Sequence, residues 1–184
     1  MSRNFRNTGL LLITVLLVSG CATVEDTAEP EIEIEEPEVE DIRITPDWYP
    51  EETLGELEGE QLIGYGRSLG STEEWAFDNA ERQAAANLRS WIDRQVEQAR
   101  IVLAETDPEA DEREFIIQLR NAVVTIDFDE ALFSRESFEQ EGVWHVAVRL
   151  EVPVESVLQR ITENLAVNLE LWEQMLEMEP LSRW

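Results

Sequence analysis

Residues 61–103 read QLIGYGRSLGSTEEWAFDNAERQAAANLRSWIDRQVEQARIVL, and in them a strand pattern is followed directly by a helix pattern. Residues 61–69 predict a strand whose glycines favour close packing of a helix against it. The spacing of Ser71 and Glu74 matches a capping box, which predicts that a helix begins there. The apolar residues that follow recur at steps of three and four, so they share one helical face. This face comprises Phe77, Ala80, Ala84, Leu88, Trp91, Ile92, Val96, Ala99 and Leu103.

The chain after this helix predicts one more helix, two strands and a final helix. The second helix is expected over residues 109–121. Apolar and polar residues alternate at 124–128 and at 144–152, which predicts two strands joined by a hairpin loop at 139–142. The last helix is expected over residues 154–176. Together these elements predict an α+β domain, in which a small antiparallel sheet packs against a long amphipathic helix and further helices.

The charge of the chain limits its partners. The 184 residues include 41 acidic and 14 basic side chains, all of the latter arginine, and the net charge is −27. Such a chain argues against nucleic acid as a partner, because phosphate binding needs a basic surface. The single cysteine, Cys21, excludes an internal disulfide and a metal site built from several cysteines.

The beginning of the chain has the organisation of a secretory signal. Two arginines precede an apolar run at residues 10–18, which is shorter than the ~20 residues that span a bilayer. The run ends in Val18-Ser19-Gly20-Cys21, which resembles the bacterial lipobox. This resemblance implies cleavage between Gly20 and Cys21 and acylation of Cys21 by fatty acids such as palmitate. An ordinary signal peptide over the same residues is the alternative.

Residues 1–20 are therefore expected to be a lipoprotein signal peptide, and residues 21–46 a lipidated cysteine followed by an acidic tether. Ten acidic residues and three prolines in this second segment favour an extended chain. An edge strand at residues 31–34, where Glu and Ile alternate, is the alternative. Ala22 does not resemble the Asp of an inner-membrane retention signal, which favours the outer membrane. Residues 47–184 remain as one α+β domain.

The sequence offers no strong candidate for catalysis, so no catalytic residue, cofactor or metal ligand is assigned. Residues 64–70 follow the pattern GxGxxxG, one residue longer than a dinucleotide-binding loop, and are interpreted as a strand that packs on a helix. His145, the single histidine, is expected to be a solvated strand residue. Asp127, Asp129 and Glu130 could weakly hold a divalent cation, and a solvated strand edge is the alternative.

Four short motifs follow one another along residues 46–152. They are Pro46-Asp47-Trp48, the Gly-x-Gly strand at 64–66, the helix with Ala76, Ala80 and Ala84 that runs through Asn87-Leu88, and the aromatic-containing strand at 144–150. In these motifs the chain resembles the LPP-20-type family of bacterial outer-membrane lipoproteins. The resemblance implies an outer-membrane-anchored, non-enzymatic α+β domain without assigned catalytic residues, related to a domain of a flagellar-assembly protein. The acidity, the absence of lysine and the long C-terminal helix depart from the family pattern.

The sequence therefore predicts an outer-membrane lipoprotein that is held in the membrane by its N-terminal lipid. Its periplasmic or surface domain is expected to be non-catalytic and to bind envelope proteins or form a homo-oligomer. Trp172, Met175, Met178 and Trp184 are candidate contact residues, or they complete the core. The alternatives are a periplasmic module that binds small ligands or cations, and a hydrolase.

Overall fold

A four-stranded antiparallel sheet forms one layer of the domain in the computed structural model, which describes residues 45–165 and 168–184. Its strands are β1 (Gly55–Glu58), β2 (Gln61–Gly70), β3 (Leu132–Gln140) and β4 (Val143–Pro153), in the spatial order β1-β2-β4-β3. The central strands β2 and β4 pair along the whole of β2. The strands predicted at residues 61–69 and 144–152 are therefore confirmed.

The second layer is helical. Its helices are α1 (Glu73–Ala104), α2 (Arg113–Val124), α3 (Val154–Leu165) and α4 (Leu169–Leu176), with short 3₁₀ turns at Pro108–Asp111 and Leu181–Arg183. Helix α1 packs across β2 and β4, and buried side chains of sheet and helices form one apolar core. The predicted α+β class is confirmed.

Two glycines of β2 allow α1 to lie directly on the strand. A Cβ atom on Gly64 would lie 2.7 Å from the carbonyl oxygen of Ala84, and one on Gly66 would overlap the carbonyl oxygen of Ala80. Since the two alanines carry only methyl groups, the backbones of helix and strand approach each other closely. The predicted role of the strand glycines is therefore confirmed.

The apolar stripe of α1 faces the sheet as predicted. Its members are buried, except that Phe77 and Trp91 are half-buried at its margins. Ala76 and Arg100 are outside the predicted stripe, yet both are buried. Arg100 is accommodated in the interior because its guanidinium group pairs with Glu97 and with the 3₁₀ turn that follows the helix.

Helix α1 is capped one residue later than predicted. The side chain of Thr72 accepts a hydrogen bond from the backbone nitrogen of Trp75 at 3.3 Å, and the backbone of Thr72 is extended. The expected capping box between Ser71 and Glu74 is therefore wrong, because Thr72 occupies the position at which a side chain can reach the free N–H groups.

The strand predicted at residues 124–128 is also wrong. Helix α2 continues to Val124, and the hydroxyl of Thr125 donates to the carbonyl oxygen of Asn121 at 2.8 Å. The strand that pairs with β4 is instead β3, which begins at Leu132. Of the three alternating apolar residues, Val124 ends helix α2, and Ile126 and Phe128 lie in the loop that follows it.

Two further helices differ from their predicted bounds. The helix expected at residues 109–121 is α2, which starts at Arg113 because a 3₁₀ turn precedes it. The single helix expected at residues 154–176 is divided into α3 and α4. Asn168, directly before α4, has a φ of 59°. This left-handed conformation is incompatible with a continuous right-handed helix, so the single-helix prediction is wrong.

The C-terminal aromatic and methionine residues belong to the core. Trp172 and Met175 are buried, and the indole nitrogen of Trp172 donates to Thr162 at 2.9 Å. Met178 and Trp184 are partly buried and pack against the core. Of their two predicted roles, completion of the core is therefore the one that the structure shows.

Candidate functional site

The sheet face opposite α1, called the open face below, presents charged, aromatic and apolar side chains. Successive residues of a strand point to opposite faces, so the odd-numbered residues of β2 and β4 lie on the open face. The strand registers arrange these side chains in rows across the sheet. Two neighbouring rows are Arg67–Ala147–Glu136 and Leu69–His145–Phe138.

Three aromatic rings cover part of the open face. The ring of Tyr65 lies 6.5 Å from Trp48 and 5.9 Å from Tyr49, measured between ring centroids. The indole nitrogen of Trp48 also donates to a carboxylate oxygen of Glu136 on β3. The entering chain therefore crosses the sheet from β3 to β2. Trp48 and Tyr49 thus pack on the sheet face opposite the helix.

A network of charged groups surrounds Tyr65. Its hydroxyl donates to Glu56 at 2.5 Å. Arg149, opposite Tyr65 in the sheet, donates to Glu58 at 2.6 Å and lies 3.1 Å from Glu151. Burial raises the pKa of Tyr65 far above its ordinary value, and the hydrogen bond to Glu56 raises this pKa further. Burial also raises the pKa of Tyr49, against the opposing effect of the Arg67 charge.

This network predicts a loss of stability in alkali that Tyr65→Phe should reduce. The pKa of Tyr65 is raised in the folded state, so its contribution to stability is complete below pH 10.0 and is lost as the pH rises above that value. The chain has two tyrosines and no lysine, so few other groups titrate in this range. The urea concentration at the midpoint of unfolding is measured at pH 8 and at about pH 11. It should fall less between these two pH values in Tyr65→Phe than in the parent. An equal fall of the urea midpoint in the two proteins would contradict the prediction.

A cavity of about 500 Å³ opens on the open face beside the aromatic rings. It is called the Arg67 cavity, and it is lined by Thr45, Arg67, Ser68, Leu69, His145, Val146 and Ala147. Its surface is mostly apolar, and Arg67 is the one formally charged residue among this lining set. The guanidinium carbon of Arg67 lies 5.9 Å from the ring centroid of Tyr49. This arrangement combines an apolar floor with one cation at the rim.

His145 is a residue of strand β4, as predicted, and it lies on the open face with part of its side chain exposed. Its ring stacks on Phe138 with 4.7 Å between centroids and is half-buried. Its Nδ1 atom is buried and has no hydrogen-bond partner among the described residues. The ring therefore serves mainly as a flat wall of the Arg67 cavity.

Strand β3 forms an edge of the sheet, called the β3 edge below. The two-residue turn at Glu141 and Gly142, both with positive φ, makes Gln140 and Val143 the hydrogen-bonded pair next to it. Alternate residues of β3 therefore direct their N–H and C=O groups away from β4. These residues are Phe133, Arg135, Ser137 and Glu139.

The other edge of the sheet, formed by β1 and the second half of β2, has hydrogen-bond partners that the β3 edge lacks among the described residues. Strand β1 pairs with the first half of β2. Beyond β1, the side chain of Asn87 donates to the carbonyl oxygen of Tyr65 at 2.7 Å, and Gln83 accepts from the backbone nitrogen of Arg67 at 3.0 Å. No comparable cover lies over the β3 edge in the described part of the chain. Leu132 at its start is 73% exposed.

Sequence reasoning missed both the β3 edge and the Arg67 cavity. The Glu-Gly turn inside the predicted loop at 139–142 was the available signal, because a two-residue turn requires a strand on each side. Extending the predicted strand pairing backwards from this turn would have placed β3. The cavity had no local signal, because it depends on the pairing of β2 with β4.

The acidic residues that were considered for a cation lie in the loop before β3, outside any strand. Asp127 lies 3.7 Å from Arg160, and Glu130 accepts from Ser156 at 3.4 Å. Within residues 45–165 and 168–184, no group of three or more His, Cys, Asp or Glu side chains could hold a metal ion.

The predicted lipidation site lies outside the described residues. Gly20, Cys21, the predicted signal peptide and nearly all of the predicted tether precede residue 45. Among the helices that are described, none is both long and apolar enough to cross a bilayer. The chain matches no protein-family model, no curated protein and no solved structure.

Proposed function

We propose that the protein is an outer-membrane lipoprotein, anchored through Cys21, whose domain binds another envelope protein at the β3 edge. In this proposal an extended segment of the partner adds to the sheet as a fifth strand. The lipid anchor is supported by the lipobox-like residues before Cys21. The binding mode is supported by the unpaired backbone groups of β3.

The β3 edge is the observation on which the proposal rests. The backbone N–H and C=O groups of four alternate β3 residues make no backbone hydrogen bond within the described part of the chain, and a strand that presents such a row is a template for another chain. The side chains at its start, Leu132 and Phe133, are exposed and apolar. They offer an apolar contact beside the backbone hydrogen bonds.

Charge favours a basic partner over a second copy. Strand β3 and its turn carry Glu136, Glu139 and Glu141 against the single Arg135. The full chain has a net charge of −27, and the mutual repulsion of two such acidic copies opposes self-association. A segment with Lys or Arg at alternate positions would be attracted instead. Its binding should weaken as salt screens these charges.

Photo-crosslinking in intact envelopes tests the proposal. A photoreactive phenylalanine analogue in place of Phe133 should give one discrete adduct with a different protein. Ser137→Pro removes an outward N–H but no bond to β4, so the strand should persist while the adduct is lost. The hydroxyl of Ser137 donates to Glu73, and both Ser137→Pro and Ser137→Ala remove it. Ser137→Ala keeps the backbone N–H, however, and should therefore retain the adduct.

Three outcomes would contradict the proposal at separate points. An adduct of twice the chain's mass would identify a second copy as the occupant. An adduct of equal yield in Ser137→Pro would exclude backbone pairing at β3. Recovery of Cys21→Ser in the same membrane fraction as the parent would exclude the lipid anchor. The analogue in place of Val124, exposed on α2, controls for chance contacts.

A further inference from the structure

We infer that the Arg67 cavity binds a small amphipathic monoanion, namely an apolar molecule that ends in a carboxylate. The carboxylate would pair with Arg67, and the apolar body would lie on Leu69 and along the ring of His145. This site is on the open face, apart from the β3 edge. Its occupancy is therefore independent of the proposed protein partner.

The shape and surface of the cavity suit a small molecule. Its volume of about 500 Å³ falls within the range of roughly 300–1,000 Å³ that is usual for small-molecule sites. Ala147 lies between Arg67 and Glu136 in the sheet, and its small side chain keeps this part of the floor low. Leu69 is 57% exposed, so an apolar ligand would cover surface that now contacts water.

Arg67 supplies a cation that has no acidic partner among residues 45–165 and 168–184. It makes no ion pair with any described residue, in a chain that has 41 acidic and 14 basic side chains. Arg149, on the same face, is by contrast held by Glu58 and Glu151. A guanidinium group binds a carboxylate through two parallel hydrogen bonds. Its position at the rim of an apolar cavity therefore selects an anionic head group.

The charge of the whole chain narrows the ligand to a monoanion. A net charge of −27 repels anions, and this repulsion increases with each charge on the ligand. A single carboxylate needs one counter-charge, which Arg67 provides. Burial of the apolar body against Leu69 and His145 then favours binding without adding further charge. A phosphate monoester would bring a second negative charge, which this repulsion disfavours.

Titration calorimetry with decanoate tests the site directly. The sample is the mature-length chain with Cys21→Ser, so that no attached acyl chain competes for the cavity. Decanoate should bind saturably at one site, and decan-1-ol and decyltrimethylammonium should bind far more weakly. Arg67→Gln should weaken decanoate binding by about tenfold. Arg94→Gln, an equal loss of charge at an exposed position on α1, should leave it unchanged.

The protein's tryptophan fluorescence gives a second measurement, because one of its six tryptophans, Trp48, packs on Tyr65 and Tyr49 beside the cavity. Its emission should shift with decanoate in the parent and in Arg94→Gln. Unchanged circular dichroism of Arg67→Gln shows that the variant is folded. Equal binding of decan-1-ol and decanoate, equal affinity in Arg67→Gln and Arg94→Gln, or no saturable binding into the millimolar range would each overturn the assignment.

Discussion

Gly66→Ala is expected to lower the free energy of unfolding by at least about 3 kcal/mol. The added methyl group would overlap the carbonyl oxygen of Ala80 and lie 2.5 Å from the backbone nitrogen of Ala84. Both contacts are with backbone atoms of α1, so no side chain can rotate to relieve them. The helix would have to move away from β2, and the core beneath it would lose its packing. Urea denaturation followed by tryptophan fluorescence measures the effect.

Gly59→Ala is the matched control for this prediction. Gly59, in the turn between β1 and β2, has a φ of +60°, and its Cβ position has nothing within 4 Å. The same substitution there adds backbone strain of about 1 kcal/mol without any overlap. If Gly66→Ala cost no more than Gly59→Ala, direct contact between α1 and β2 would be contradicted.

The features that the sequence predicted well are those with a long and repeated pattern. Helix α1 continues its apolar stripe for most of its length, and the strands β2 and β4 each bury one face against that stripe. Burial on one face imposes the alternation or the helical period that is visible in the sequence. The α+β class follows from these three elements alone.

The elements that were missed lack a strong one-sided pattern. Strand β3 is exposed over most of its length, so no buried face imposes alternation on it. The break before α4 depends on the left-handed backbone of Asn168, a conformation that Asn can adopt but does not require. Helical periodicity on both sides of such a residue therefore predicts one helix where two exist.

The two candidate sites, at Cys21 and at the Arg67 cavity, also differ in how much of their pattern is local in the sequence. Lipidation at Cys21 was predicted from adjacent residues, because a peptidase and an acyltransferase act on a short local motif. The Arg67 cavity instead joins β2 and β4, whose residues are nearly eighty positions apart and meet only through the strand register. The sequence does not show that Arg67 lies opposite Ala147 until that register is known. Local sequence therefore predicts a membrane anchor more directly than it predicts a ligand.

Arg100→Met is expected to destabilise the protein by about 2–3 kcal/mol. The guanidinium group of Arg100 donates to both carboxylate oxygens of Glu97 at 3.0 Å, to Asp111 at 2.9 Å and to the carbonyl oxygen of Ala110 at 3.1 Å. Its removal would leave Glu97 and the carbonyl group without these donors. The loss is smaller than for a fully buried pair, because the side chains of Glu97 and Asp111 are 31% and 71% exposed. Methionine keeps most of the apolar volume of the arginine stem, so the effect reports the polar contacts.

The pH dependence of this loss separates the ion pair with Glu97 from the hydrogen bond to the Ala110 carbonyl, which does not titrate. Hydrogen bonding from Arg100 holds the pKa of Glu97 below its ordinary value of 4.5. Stability from a lowered pKa is present above the ordinary value and is lost as the pH falls through the lowered one. The difference between the parent and Arg100→Met should therefore be full near neutral pH and shrink below about pH 4.5. Arg94→Met, exposed on the same helix, should cost less than about 0.5 kcal/mol at any pH. A constant difference between the parent and Arg100→Met in acid would mean that Arg100 acts through its hydrogen bond to the carbonyl oxygen of Ala110, which does not titrate, and that the ion pair with Glu97 contributes nothing measurable.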